Sequence, residues 1–198
     1  MIVATPYDRA VSTVAAVLAA GGGTRFGGPT HKLLADLDGR PVWRHAVESA
    51  VAAGFPKVVV VTGAADLHLP AGVEDWPNPR WADGQATSLQ VAVAAARHHG
   101  ATHLVVGLAD QPFVPPTAWA AVRDADPACR IVVATYDGRP GPNPVRLAAD
   151  VWPLLPEGGD LGARDVIRAH PAWVCPVACL GSVADIDTPE DLARWKSC

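Results

Sequence analysis

The chain has 198 residues, 49% hydrophobic and 18% charged, with a net charge of −4 and a pI near 5.9. That length and balance fit one soluble globular domain with a sizeable core and exclude a largely disordered chain. The acidic balance excludes a basic nucleic-acid-binding surface, and no segment reads as a membrane span or a signal peptide, so neither nucleic acid nor membrane is an expected partner and the cytoplasm is the expected compartment.

The first element is a short apolar run over residues 13–19, ended by glycines, which predicts a buried parallel strand. It runs into "VLAAGGGTRFGGPTHK", a backbone bare enough for amide N–H groups to close on an anion. Two familiar phosphate loops fail here. Gly27 is followed by Gly28, Pro29 and Thr30 rather than by Lys and a hydroxyl residue, so this is no Walker A loop. Counting from Gly21, the sixth position is Phe26, which breaks the dinucleotide fingerprint. What remains is a glycine turn, Gly21, Gly22 and Gly23, with Arg25 and Lys32 as two cations able to reach phosphates.

Asp38-Gly39 predicts a turn, and Pro41 opens a helix whose apolar face repeats as Trp43, Ala46, Val47, Ala50 and Val51 until Gly54. A second buried strand spans residues 57–63. The irregular "WPNPRWADGQ" follows, then a helix predicted to be capped by Thr87 with Gln90 three places on, ending at His98-His99, which read as structural C-terminal cations. A third strand, residues 103–110, ends in Asp110-Gln111-Pro112, where proline stops it. A helix over 117–123 and a strand over 130–136 come next. "GRPGPNPVRL" is too proline-rich for a central strand, and "GDLGARDVIRAH" reads as a loop entering a helix. A short strand over 173–177 precedes "VADIDTPEDLARW", where Thr188, Pro189 and Asp191 predict a capped helix start. Cys129, Cys175, Cys179 and Cys198 contain no CxxC and are expected to be reduced, structural thiols.

Alternating strands and helices predict a single Rossmann-like, three-layer α/β domain with a mostly parallel sheet, and ligands in such sheets lie beyond the carboxyl ends of the strands. The glycine loop, Thr62-Gly63 and Asp110 all reach that edge. Phosphoryl or nucleotidyl chemistry there needs charge neutralisation, commonly by Mg²⁺ on one or two carboxylates, and Asp110 and Asp187 are the candidates. Asp185 is the rival of Asp187, since alternate residues of a short strand share a face.

Together "LAAGGGTRFGGPTHK", "GLADQPFV", "NPV", "GDLGARDVI" and "DIDTPEDL" resemble the MobA-like nucleotidyltransferases, and in particular the molybdenum cofactor cytidylyltransferase branch, in order from about Val14 to Trp195. The resemblance implies an NTP held by Leu18, Ala19, Ala20 and the three loop glycines. It puts Arg25 and Lys32 on the phosphates and Thr62, Asn78 and Ser88 near the nucleotide. Asp110 and Asp187 would bind Mg²⁺ and, with Lys32 and Arg25, form the catalytic set. Gln111, Asn143, Asp160 and Arg164 would meet a phosphorylated pterin-type acceptor. A molybdoenzyme or maturation factor is the implied protein partner. "LAAG" and "ADQP" resemble the cytidylyl rather than the guanylyl branch, so CTP is expected over GTP, with the methyl group of Ala20 narrowing the base pocket. The chain departs from the family at Asn143, where His is frequent, at Leu161, commonly Lys, and at Gln85, often Met. Guanylyl transfer to the same cofactor, nucleotidyl transfer to a sugar phosphate or another phosphorylated small molecule, and a non-catalytic nucleotide-binding accessory protein or chaperone of molybdoenzyme maturation are the alternatives.

Overall fold

The computed structural model describes residues 12–27 and 30–196, so Gly28, Pro29 and Cys198 lie outside the described residues. Strand β1 (Thr13–Leu18) is buried along its whole length. Its side chains alternate between two apolar layers: Val14, Ala16 and Leu18 enter one cluster and Ala15 and Val17 the other. This is what a strand covered on both faces requires. A small hairpin, β2 (Asp36–Leu37) and β3 (Arg40–Pro41), turns at Asp38-Gly39, both with positive φ. Helix α1 (Val42–Ala52) then buries Trp43, Ala46, Val47 and Ala50, as their spacing predicts, and leaves Val51 exposed.

The remaining elements are β4 (Lys57–Thr62), β5 (Val73–Pro77), α2 (Gln85–His98), β6 (His103–Leu108), α3 (Pro116–Arg123), β7 (Ile131–Tyr136), β8 (Arg139–Ala148), α4 (Arg164–Ala169), β9 (Val174–Cys179) and α5 (Pro189–Trp195). Seven strands make one sheet in the order β5-β4-β1-β6-β8-β7-β9. Strand β1 is parallel to β4 and β6, β4 to β5, and β7 to β9, while β8 is antiparallel to both its neighbours. Helices α1 and α3 pack Val47 and Trp119 on one face, and α2 packs Leu89 and Val93 on the other. The result is a single three-layer α/β domain with a mostly parallel sheet. Among the described residues no helix is long and apolar enough to cross a membrane.

Four sequence expectations are corrected. "GRPGPNPVRL" lies largely within the central strand β8, because β6 pairs only with Val145 to Ala148, downstream of the prolines. Between Thr135 and Val133 the β7 ladder shifts register, and the prolines fall at or beyond that irregularity. Strand β5 forms where an irregular segment begins, with Trp76 and Pro77 at its end. Helix α2 starts at Gln85 after Gly84, so Thr87 lies inside the first turn and donates its hydroxyl to the carbonyls of Arg80 and Gly84 instead of capping. Finally, Cys129 and Cys175 form a disulfide rather than two free thiols, while Cys179 stays free. Cys129 precedes β7 and Cys175 lies on β9, its parallel neighbour; that pairing brings the Cα atoms within 6.0 Å across a separation of 46 residues, which spacing alone does not reveal.

Candidate active site

A cleft of about 560 Å³ opens beyond the carboxyl ends of β1 and β6. Its floor is the loop after β1. A backbone bond from Phe26 N to Gly23 O turns this loop, and buried Phe26 anchors it among Leu37, Val42 and Ile186. His31 accepts from Leu33 N at Nδ1, so Nε2 is the donor, and it reaches Gly21 O at 2.9 Å. One imidazole thereby ties the start of the glycine loop to the turn that carries Lys32. A Cβ on Gly23, at φ +60°, would come 3.0 Å from that imidazole, so the position is restricted to glycine on both counts.

Lys32 places its ammonium between two carboxylates, 2.6 Å from Asp110 Oδ2 and 2.7 Å from Asp187 Oδ1. Burial works against its charge, but Asp110 and then Asp187 outweigh it and hold the ammonium above the ordinary lysine value. Asp187 also meets the guanidinium of Arg25 at 2.9 Å, on a side chain that is 77% exposed and free to swing into the cleft. The carboxylates converge because Ile186 N donates to Asp110 O, pinning residues 185–187 beside the end of β6. The Thr188–Asp191 capping box then fixes the chain just beyond Asp187.

Asp185 faces the same cleft. Burial, followed by repulsion from Asp110, raises its pKa, and a bond from Gln111 Nε2 at 2.7 Å opposes that rise. Asp110 Oδ1 is buried with no hydrogen-bond partner among the described residues. No cluster of three or more metal-ligating side chains occurs among the described residues. Mg²⁺ needs no such cluster, since one or two carboxylates suffice when phosphates and waters complete the shell. An orphaned carboxylate oxygen beside a second carboxylate fits that requirement.

The other expected residues divide by place. Leu18 to Gly23, Ser88, Asp160 and Arg164 line the cleft. Thr62 and Asn78 do not: Thr62 donates to Asp75 Oδ1, and Asn78 lies behind the wall, donating to Thr87 and Ser88 and accepting from Arg80 N. Gln111 is almost fully buried and links Asn143, whose Nδ2 donates to it at 3.0 Å, to Asp185. Ala20 is almost fully buried beside Gly63, where an added Cβ would come within 2.7 Å of its methyl group. Reading the sequence also missed Trp81, on a short 3-10 turn (Trp81–Asp83), whose ring lies where a Cβ on Gly22 would come within 2.9 Å. Its only sequence signal was an aromatic among prolines and glycines.

A second, smaller space of about 50 Å³ opens off this cleft, and the two share Leu18, Gln85 and Arg164. All three departures from the family pattern, Gln85, Asn143 and Leu161, line it.

This sheet order, with a glycine loop after β1 and converging cations and carboxylates above it, defines a nucleotidyltransferase-type protein. A sequence model of the MobA-like NTP transferase domain matches residues 15–174, and the chain belongs to that family. It is 31% identical over 194 residues to nicotine blue oxidoreductase of Paenarthrobacter nicotinovorans, covering 90% of this chain and 93% of that one. The bifunctional enzyme IspD/IspF of Caulobacter vibrioides is 39% identical over 103 residues, 50% of this chain and 27% of that enzyme. Among solved structures, Rv0371c of Mycobacterium tuberculosis H37Rv superposes with a TM-score of 0.79 at 29% identity, over 96% of this chain and all 100% of that one. A structure of Rv0371C in complex with manganese matches with a TM-score of 0.72 at 26% identity, over 94% of this chain and 99% of that one.

Proposed function

We propose that this nucleotidyltransferase moves CMP from CTP to the phosphate of a molybdopterin-type cofactor and releases pyrophosphate. The observation that carries the reading is the Lys32 ammonium held between Asp110 and Asp187 at the rim of the glycine loop. The loop amides and Arg25 would receive the triphosphate. Lys32, cationic well beyond neutral pH, would turn from its carboxylates to charge growing on the α-phosphate. Asp110 and Asp187 would hold Mg²⁺, which when bound neutralises phosphate charge; a manganese complex of Rv0371C supports a divalent cation here. The acceptor phosphate attacks the α-phosphorus in line, pyrophosphate leaves, and no covalent enzyme intermediate is needed. Arg164 and Asp160, which line the cleft, would meet the acceptor.

The preference for CTP rests on the "LAAG" and "ADQP" resemblance. Ala20 lines the cleft, and its methyl group would narrow the base pocket in favour of a pyrimidine. The test is pyrophosphate release with Mg²⁺, molybdopterin and either CTP or GTP, with consumption of a reduced nicotinamide cofactor as the control prompted by the name of the Paenarthrobacter relative. CTP-dependent release is expected, and Asp110→Asn or Asp187→Asn should lower it at least ~10²-fold. Release with GTP alone overturns the cytidylyl assignment; redox turnover without pyrophosphate overturns the transfer reaction.

A further inference from the structure

The space beside the cleft differs from the cleft in chemistry. Leu18, Leu89, Val106, Val145, Leu147 and Ile167 supply apolar walls. Its polar side chains are three, Gln85, Asn143 and Arg164. Asn143 turns its amide inward to Gln111, and its backbone carbonyl accepts from Tyr136. Arg164 lies at the junction with the cleft and forms no ion pair among the described residues. At about 50 Å³ the niche has room for about three or four water-sized groups. A small apolar cavity is a poor home for water and a good one for a hydrocarbon group.

We propose that this niche is the acceptor's specificity pocket, taking a small uncharged, apolar part of the acceptor no larger than a short alkyl group, while Arg164 holds the phosphate at the mouth. This rests on the nucleotidyl-transfer reading and deepens it: the acceptor is an amphipathic phosphomonoester and not a polyhydroxylated sugar phosphate. A sugar would bring several hydroxyl groups to walls on which only Gln85, Asn143 and Arg164 are polar, so most would lose their hydration without a partner. An apolar part gains by leaving water, and continuity through Leu18, Gln85 and Arg164 leads it straight to the reacting phosphates.

The experiment uses two probes of matched charge and size, propyl phosphate and glycerol 3-phosphate, titrated into the wild-type protein by calorimetry. Propyl phosphate should bind about tenfold more tightly, given roughly fourfold per buried methylene equivalent. Ala163→Phe, at a half-buried position on the niche wall, should fill the space and bring the two affinities to within about twofold. Leu161→Asn, at an exposed rim position and therefore safe for the fold, should cut the preference about two- to threefold. Equal affinities in the wild type overturn the proposal. So does a preference that survives Ala163→Phe in a protein shown to be folded by its thermal transition, or, should that variant not fold, one that Leu161→Asn leaves unchanged. If the preference behaves as expected but no phosphomonoester elicits pyrophosphate from CTP, the niche assignment stands and the transfer reaction falls.

Discussion

At the scale of single residues, Lys32 sits between the two carboxylates proposed to hold a divalent cation, and the consequence can be measured without turnover. Its side chain is only 12% exposed, and the ammonium touches one oxygen of each carboxylate. On the proposed reading, a metal entering the nucleotide-free cleft meets a resident positive charge a few ångströms away, a repulsion of several kcal/mol at the effective dielectric of such a site. Lys32→Met should therefore bind Mn²⁺ at least about tenfold more tightly than wild type when nucleotide is absent, as read by electron paramagnetic resonance. Turnover should fall in the same variant, because the cation that meets the transition state is gone. Unchanged Mn²⁺ affinity would show that the lysine does not compete with metal. Arg25 reaches the same carboxylate from an exposed position, so its pairing contributes far less than that of Lys32.

Helix α5 shows how an element serves the site. Thr188 accepts from Asp191 N, and the Asp191 carboxylate returns bonds to the backbone of Thr188 and Asp187. Thr188→Ala should cost about 1 kcal/mol in urea unfolding and also lower the rate of transfer, since Asp187 loses its rigid support. A loss of stability with full activity would confine the box to a structural role.

The box was legible in the sequence, as were β1, α1, β4 and β6, because each carries its own period or cap within a few residues. So were the glycine loop, Lys32, Asp110 and Asp187, which lie at the ends of such elements. Strand β5 was not legible, since its side chains alternate between partly and fully exposed and carry little apolar signal. Strand β8 was hidden by prolines whose tolerance depends on where β6 stops pairing. The convergence of Asp110 with residues 185–187 depends on one long-range backbone bond from Ile186, and the placement of Trp81 on Gly22 on one long-range packing contact. No local pattern encodes either.

At the scale of the whole molecule, buried His103 links stability to pH. Burial, aided by the nearby Arg146 guanidinium, holds its pKa below the ordinary imidazole value, and its Nε2 has no hydrogen-bond partner among the described residues. The unfolded chain takes up this proton below about pH 6.5, whereas the folded protein resists it to lower pH. Stability from this source is present above the unfolded value and is lost as pH falls. The urea midpoint should drop between pH 7 and pH 5, and His103→Gln should flatten part of that drop; an identical slope in the variant would trace the effect to other groups.

The sheet also has a seam. Everything proposed to handle the nucleotide, up to Asp110, comes from the upstream strands, apart from Asp187, which is threaded back to them. Within the sheet, strands β8, β7 and β9 join that half along the short β6 to β8 pairing. The apolar niche straddles this line, with Leu18, Leu89 and Val106 on one bank and Asn143, Val145, Leu147, Leu161 and Ile167 on the other. On the proposed reading, variation along the downstream bank would redraw the partner of the reaction while the upstream bank, which carries the glycine loop, stays as it is.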